Sequence, residues 1–400
     1  MADFGAITPV GAFGSYGGGV GSFGKSPGNT VVNYANQVTN IVFSTQPSTV
    51  HSITGVRGIA RDAATTTVIT ARDASNNTVT GLNVGGPTLT LLVDPQTSGA
   101  AATLGGTLTP LWVNGVATIT NLTIDKENTT TVQVRATYNS LTADSTAFCV
   151  YHPVCATAPY TDTDRKYGAL LINTVGPNGL RTCVANGSLV GSFNDPMSTT
   201  ISWAQTTDSL EVTMPAWNAA PTFDTDDLYD GDAEAVAAAN WAGDDVYFNA
   251  VCDIVQNTSA TPSFVHEILG NGHWFAFMLV TNENWSSNDG RNGAANYGHI
   301  NHGVAEGTPS YLATLHDRAT ATTQRVGAAT ATGPDTSPDA TKSVVITANT
   351  IAGRVGVTTL NLGEDGSAPN LWLFNVYGAS KESSATAWRS ALGTALGLSL

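Results

Sequence analysis

The sequence predicts an all-β protein in which a smaller β-sandwich is followed by a larger one, with few short helices. Three observations predict this class. Segments rich in Val, Ile and Thr alternate with a period of two between turn residues. Only 12% of the 400 residues are charged, which is low for a soluble protein, so Thr, Ser, Asn and Gly solvate much of the surface. Helical periodicity is confined to two short segments.

The charge balance narrows the classes of partner. There are 31 acidic and 16 basic residues, a net charge of −15, which disfavours binding to phosphate backbones or anionic lipid. No stretch approaches the roughly 20 apolar residues of a membrane helix. The first 30 residues lack the basic and apolar regions of a secretory signal. We therefore expect neither nucleic acid nor membrane insertion.

Residues 1–39 form a Gly-rich N-terminal arm with regularly spaced rings. Its aromatic residues are Phe4, Phe13, Tyr16, Phe23 and Tyr34. A flexible linker has little use for apolar rings, so the arm is predicted to dock on another subunit or on the C-terminal domain. The alternative is a frayed terminus, since glycine is costly to order.

Residues 40–151 are predicted to be the smaller sandwich. The firmest strands are 41–43, 66–71, 88–93, 116–119 and 131–135. Directly before the fourth of these strands, Asn114-Gly115 predicts a tight hairpin turn, because both residues tolerate positive φ.

Five segments in this region carry a resemblance. They are VFSTQPS (42–48), VITARDASNNTVTGLNV (68–84), TLTLLVD (88–94), GVATITNLTID (115–125) and TTVQVRATYNSLTADSTAFCV (130–150). Their order and spacing resemble the bacterial immunoglobulin-like (Ig-like) domains of adhesins and phage virion proteins. The turn after Asp73 has Asn-Asn where Gly-Asn is common in that family. The resemblance implies an Ig-like β-sandwich that serves as a spacer, decoration or weak binding module without catalytic residues.

Residues 152–400 are predicted to be one large β-sandwich. Strands are expected at 168–172, 200–203, 209–214, 245–251, 274–280, 343–347 and 370–376. Helices are expected at 233–241, after Asp232 as N-cap, and at 384–396, where Trp388, Leu392 and Leu396 share a face. The tail 370–393 faintly resembles the end of concanavalin-like, laminin-G-like domains, which implies a jelly-roll or concanavalin-like sandwich.

An acidic run is the candidate metal site. Its carboxylates are Asp224, Asp226, Asp227, Asp230 and Asp232. Oxygen-rich loops bind Ca²⁺, although the EF-hand pattern fails here because Leu228 and Ala237 occupy ligand positions. The alternative is a solvated acidic loop, and no other cofactor is expected.

A polar segment around Trp285 is the candidate ligand site. Trp285, Asn288 and Asp289 lie in a stretch whose composition predicts a loop, and Tyr297 follows it. An aromatic face with nearby amide and carboxylate groups suits a sugar ring. Packing in the core is the alternative for each ring.

Catalytic motifs are not found. The sequence has no G-x-S-x-G elbow, no phosphate-binding P-loop and no G-x-G-x-x-G before a helix. His299 and His302 lie in a Gly- and Asn-rich stretch that favours a loop. We therefore do not expect an enzyme. A glycosidase needs two carboxylates at a set separation, and the sequence does not fix the separation of any pair.

The four cysteines are Cys149, Cys155, Cys183 and Cys252. Their spacing matches no zinc motif. Two alternatives stay open for them: a disulfide between Cys149 and Cys155, or buried free thiols.

Together these features predict a structural protein of a bacteriophage virion, either a capsid decoration or head fibre or a tail fibre. Residues 1–39 would anchor it to capsid or tail subunits, and the β domains would project and adhere to host surface glycans. It would assemble in the host cytoplasm, be exposed on the particle, and form a homo-oligomer, with a trimer favoured. The alternative is an extracellular protein that binds or cleaves carbohydrate.

Overall fold

The computed structural model describes residues 33–92, 102–205, 211–223, 229–231, 246–253, 264–270, 273–280, 284–289, 296–301, 308–316, 321–326, 329–334, 346–351 and 370–400. We call residues 40–151 the N-terminal part and residues 152–400 the C-terminal part. The predicted fold class is confirmed: the described chain is all-β with few short helices, and three smaller sheets precede two larger ones.

The N-terminal part contains three sheets. Its strands are β1 (Asn40–Thr45), β2 (Thr49–Val50), β3 (Arg57–Ala60), β4 (Thr65–Arg72), β5 (Thr88–Leu91), β6 (Leu104–Gly105), β7 (Val116–Ile124), β8 (Asn128–Val132), β9 (Val134–Tyr138), β10 (Leu141–Asp144) and β11 (Phe148–Tyr151). The sheet orders are β1-β4-β7-β6, β10-β9-β5 and β2-β3-β11-β8. β3 and β11 pair in parallel, and the other pairs are antiparallel.

Alternating side chains place the core between these sheets. On β7, Ala117, Ile119, Leu122 and Ile124 are buried, and the irregular step between Ile119 and Leu122 coincides with a bulge against β4. The same core cluster contains Trp112, whose ring meets Tyr138 edge-on at 5.4 Å.

The predicted hairpin turn is confirmed. Val113 pairs with Val116, and between them Asn114 has φ 52° and Gly115 has φ 77°. Positive φ at both central positions is the type I′ geometry that matches the twist of the flanking strands.

The C-terminal part contains two sheets. Its strands are β12 (Arg165–Leu170), β13 (Cys183–Asn186), β14 (Leu189–Asn194), β15 (Ser202–Ala204), β16 (Tyr229–Gly231), β17 (Val246–Asp253), β18 (Phe264–Gly270), β19 (His273–Val280), β20 (Asn284–Asp289), β21 (Asn296–Asn301), β22 (Pro309–His316), β23 (Ala321–Val326), β24 (Ala329–Pro334), β25 (Ile346–Ile351) and β26 (Leu371–Tyr377). One sheet has the order β12-β26-β17-β22-β23-β24, and the other has β13-β14-β15-β16-β25-β18-β19-β20-β21.

Two short α-helices are described, α1 (Ala158–Thr161) and α2 (Ala385–Leu396). α2 confirms the helix predicted at the end of the chain: Trp388 and Leu392 are buried, and Trp388 packs on Tyr377 with ring centroids 4.9 Å apart. Gly397 ends the helix with φ 70°, the left-handed cap that glycine adopts without strain. The helix predicted at 233–241 lies outside the described residues.

The two parts share an apolar cluster. Ala60 and Tyr151 from the N-terminal part lie in the same buried cluster as Tyr160, Tyr247 and Trp388 from the C-terminal part. A short 3₁₀ turn, Pro153–Ala156, carries the chain across this boundary. The parts are therefore joined by side-chain packing as well as by the backbone.

All four cysteines are buried free thiols, so the structure contains no bridge between Cys149 and Cys155. Burial raises the pKa of Cys149 to about 12 and that of Cys183 to about 11. No helix in the described part of the chain combines the length and apolar composition needed to cross a bilayer.

Candidate functional site

The acidic run is only partly described. Asp224, Asp226, Asp227 and Asp232 lie outside the described residues. Asp230 lies on β16, where it pairs with Ala204 of β15 and Thr350 of β25. Among the described residues, no group of three or more His, Cys, Asp or Glu side chains could hold a metal ion. The calcium site stays a prediction.

The segment around Trp285 is a strand, and the loop predicted from its composition is wrong. Trp285, Asn288 and Asp289 lie on β20, which pairs with β19 and with β21. Hydrogen-bonded partners on both sides override the weak strand propensity of Asn, Ser and Asp. His299 likewise lies on strand β21 and not in a loop.

The register separates the predicted ligand residues. Asn288 is directly opposite Tyr297, whereas Trp285 is opposite Ile300 and Asp289 is opposite Asn296. Because successive strand positions alternate between the faces of a sheet, Asn288 and Tyr297 belong to one face and Trp285 and Asp289 to the other. Strand register thus assigns the four positions to two faces of the hairpin, and the ligand site at these residues stays a prediction.

A cleft in the described residues brings polar and apolar groups together where the two parts meet. It encloses about 280 Å³. We call it the junction cleft. The residues that line it include Ile53, Tyr160, Asp162, Arg165, Asp195 and Ser198.

A buried ion pair forms the base of the junction cleft. Arg165 Nη1 and Nη2 donate to the two carboxylate oxygens of Asp195 at 3.1 and 3.0 Å, and the side chains are 5% and 1% exposed. Arg165 Nε donates to Asn375 at 2.7 Å. Burial lowers the pKa of Arg165, but the charge of Asp195 and its hydrogen bonds outweigh this and raise it. The two side chains form a bidentate pair at the floor of the cleft.

Backbone groups hold Asp195 in place as well. Its oxygens accept hydrogen bonds from Gly168 N at 2.9 Å and Met197 N at 2.8 Å. The guanidinium of Arg165 lies over the buried ring of Tyr160, 5.1 Å from its centroid. The carboxylate of Asp195 therefore accepts four hydrogen bonds, two from Arg165 and two from the backbone.

A second ion pair forms the rim. Lys381 Nζ contacts Asp162 Oδ1 at 2.8 Å and Asp164 Oδ2 at 2.6 Å. Partial burial lowers the pKa of Lys381, but hydrogen bonds to both carboxylates raise it overall. Asp164 N also donates to Asp162 Oδ1 at 2.9 Å. The Asp162 side chain is 20% exposed, so its carboxylate reaches the mouth of the cleft.

The opposite wall is a turn tied down by Asn178. The Asn178 amide donates to the carbonyl oxygens of Asp195 at 3.2 Å and Ser198 at 2.6 Å. Ser198 Oγ in turn accepts from Ile201 N at 3.2 Å. Met197 and Ile201 add apolar surface to this wall.

The N-terminal part closes one side of the cleft. Ile53 lies on an exposed turn and is 46% exposed. Thr54 Oγ1 donates to the Pro177 carbonyl at 2.9 Å, which fixes this turn against the C-terminal part. The cleft is therefore complete only when both parts are in contact.

A wider groove of about 810 Å³ lies beside α2. Its lining combines six alanines, which include Ala60 and Ala391, with the polar residues Arg61, Asp62, Thr157, Ser390 and Thr394, and the groove is broad and open. The smaller junction cleft has the better-defined chemistry.

None of the cleft residues was identified by motif reasoning. The one local signal is the sequence TDTDRK (161–166), in which carboxylates precede two cations just after the boundary between the parts. The other lining residues come from positions far from it along the chain.

Neither a family model nor a curated protein matches the sequence. Among solved structures, the receptor binding domain of botulinum neurotoxin C/D mosaic serotype is similar at 6% identity and a TM-score of 0.39, over 57% of this chain and 51% of that chain. The botulinum neurotoxin serotype D ligand binding domain in complex with N-acetylneuraminic acid is similar at 8% identity and a TM-score of 0.39, over 60% and 52%.

A smaller structure is similar over a shorter stretch. Ruminococcus gnavus IT-sialidase CBM40 bound to alpha2,3 sialyllactose has 11% identity and a TM-score of 0.31, over 42% of this chain and 92% of that chain. This chain spans about half the length of the botulinum neurotoxin structures that it matches. With TM-scores of 0.39 and 0.31, these similarities assign neither a shared fold family nor a function.

Proposed function

We propose that this protein binds glycans without cleaving them and that the junction cleft holds the sugar. The observation that supports the proposal is the lining of the cleft. Ordered carboxylate and hydroxyl groups, Asp162 and Ser198, lie in the same small cleft as the apolar side chains Ile53, Met197 and Ile201. A sugar ring presents this combination in reverse, with hydroxyl donors at its edge and C–H groups on its faces.

The cleft is organised before any ligand arrives. Ion pairs fix Asp195 and Asp162, and Asn178 fixes the wall that carries Ser198. A preformed site loses little conformational entropy on binding, which matters for a weak ligand such as a sugar. Its volume of about 280 Å³ is just below the usual range of small-molecule sites, which begins at about 300 Å³, so the cleft suits a single sugar unit.

Binding is favoured over cleavage because the two carboxylates of the cleft already form ion pairs. A glycosidase presents one carboxylic acid and one free carboxylate to the scissile bond. Here Asp195 is held by Arg165 and Asp162 by Lys381. Both oxygens of Asp195 are engaged by Arg165, so Asp195 is not available as the second free carboxylate that cleavage needs.

A steric block tests the site. We expect the full chain to bind members of a glycan array, and Ile53→Trp to abolish this binding by filling the mouth of the cleft. Val84→Trp is the matched control, because Val84 is another exposed apolar residue and does not line the cleft. Absence of binding to every glycan, or equal binding by both variants, would overturn the proposal.

The residues on β20 and β21 provide a comparison arm of the same experiment. If the hairpin is the binding surface, Trp285→Ala abolishes array binding and Ile53→Trp leaves it intact. If the junction cleft is the site, the two variants behave in the opposite way.

We also propose that residues 1–39 attach the protein to a phage particle. The support is the composition of the arm, in which glycines separate aromatic rings. Deleting residues 1–39 should abolish incorporation into particles while glycan binding persists. Sedimentation velocity on the full chain and on the shortened chain would show whether the arm also maintains a homotrimer; incorporation without the arm would contradict the proposal.

A further inference from the structure

We propose that the junction cleft selects a neutral sugar unit, a hexose or an N-acetylhexosamine, and rejects sugars that carry a carboxylate. This inference rests on the proposed glycan binding and specifies its ligand class. It follows from how the cations and carboxylates of the cleft are already paired.

The cation at the base is committed. Both terminal nitrogens of Arg165 donate to Asp195, and Nε donates to Asn375. The Arg165 side chain is 5% exposed. A ligand carboxylate could use this guanidinium only by displacing Asp195, which also accepts two backbone hydrogen bonds.

The cation at the rim is committed in the same way. Lys381 Nζ lies between Asp162 at 2.8 Å and Asp164 at 2.6 Å. Lys166, which also lines the cleft, has an interaction partner as well. Arg165 and Lys381 are therefore both paired with carboxylates, and neither is left over for an acidic sugar.

The group with unused hydrogen-bonding capacity at the mouth of the cleft is an acceptor, the carboxylate of Asp162. Asp162 Oδ1 accepts from Lys381 Nζ and from Asp164 N. Oδ2 has no partner among the described residues and is available to a donor. A sugar hydroxyl donates to a carboxylate in a strong, charge-assisted bond, whereas a second carboxylate beside Asp162 would be repelled.

The wider charge distribution acts in the same direction. The net charge of the chain is −15, so an anionic ligand is repelled during approach. Close to the cleft, the three carboxylates of Asp162, Asp164 and Asp195 balance the three cations of Arg165, Lys166 and Lys381. The formal charges of these six side chains sum to zero, which suits an uncharged, hydroxyl-bearing ligand.

Titration calorimetry with the full chain tests the selection. The probes are galactose, glucose, mannose, N-acetylgalactosamine and N-acetylglucosamine, against glucuronic acid and N-acetylneuraminic acid. We expect at least one neutral sugar to bind at least about tenfold more tightly than either acid, with an affinity that is the same in 50 and 500 mM salt, because no ligand charge is screened.

Asp162→Asn provides a second readout. It keeps the size of the side chain and removes its charge, so neutral binding should weaken by about tenfold. Asp144→Asn, at an exposed carboxylate outside the cleft, is the control and should bind as the unchanged chain does.

The outcomes separate the two proposals. If an acidic sugar binds best and Ile53→Trp abolishes that binding, the cleft binds glycans but the neutral selection is wrong. If no sugar of either kind binds, glycan binding at the cleft fails and the selection fails with it. Tight neutral binding that Asp162→Asn leaves unchanged would also overturn the assigned role of Asp162.

Discussion

The indole Nε1 of Trp217 donates a hydrogen bond of 3.0 Å to Oε2 of Glu127, and this bond joins the C-terminal part to the N-terminal part. The Glu127 side chain is 1% exposed, and Arg61 Nη1 donates to its other oxygen. Arg181 lies over the Trp217 ring, 5.8 Å from its centroid. A buried carboxylate is thus satisfied by donors from both parts of the chain.

A double-mutant cycle should detect this bond. Trp217→Phe and Glu127→Ala each destabilise the protein, and the pair should couple by about 1.5–3 kcal/mol, because the acceptor is charged and buried. Urea unfolding of the two single variants and the double variant gives the coupling. A coupling energy near zero would contradict the bond, because the cycle cancels the effects of lost volume.

Removing one partner of the Arg165–Asp195 ion pair should strongly destabilise the protein. Asp195→Asn leaves a buried guanidinium without its counter-charge, and such losses cost about 3–5 kcal/mol. Asp144→Asn is the matched control, because its pair with Arg135 has side chains 38% and 34% exposed and exposed pairs contribute little. Equal urea midpoints for the two variants would show that Asp195 is not buried with Arg165.

Acid should weaken the fold through His152. Burial, and secondarily the charge of Arg61, lowers the pKa of His152 to about 3. The unfolded chain takes up this proton near pH 6.5, so stability is lost as pH falls below 6.5, by about 1.4 kcal/mol for each pH step until the folded pKa is reached.

The matched variant for that prediction is His152→Asn. His152 Nδ1 accepts from Val154 N at 3.2 Å, and an Asn side chain can accept the same bond but does not titrate. Urea unfolding at pH 7 and at pH 5 should show a larger loss for the unchanged chain than for this variant. Parallel losses would exclude His152 as the titrating group.

Close packing of β3 on β11 should make Gly58 intolerant of a side chain. A Cβ atom there would lie 2.6 Å from Cys149 Sγ and 3.1 Å from the Cys149 carbonyl oxygen. Gly58→Ala should therefore cost about 1–3 kcal/mol. Gly191→Ala is the control, since its nearest neighbour would be Glu211 Oε1 at 3.4 Å, and thermal unfolding should separate the two variants.

The four cysteine thiols should not react with a thiol reagent until the protein unfolds. All four are buried, and burial raises the pKa of each thiol. A thiol reagent at pH 8 should label almost none in the native protein and all four in denaturant. Two labelled thiols or none after unfolding without a reductant would indicate disulfides instead.

Sequence patterns predicted many of the strands and the last helix, because these elements depend on local periodicity. Alternation predicted β4 and β7, and the spacing of Trp388 and Leu392 predicted α2. Composition misjudged Trp285, because cross-strand hydrogen bonds to β19 and β21 decide the conformation there.

The junction cleft could not be predicted in the same way. Ile53, Asp162 and Asp195 are far apart in the sequence and meet only after the two parts have packed. Lys381 reaches Asp162 because β26 pairs with β12, a contact that spans most of the C-terminal part. No local pattern encodes either approach.

The apolar cluster that includes Tyr151 and Trp388 has a mechanical consequence. Two β domains connected by a peptide alone swivel about their linker, and a load applied to one is felt by the other only when the linker is taut. Here a pull on either part is carried through packed side chains and through the bond of Trp217 to Glu127. The two parts should respond to force as one unit, and separating them would first require water to enter that cluster.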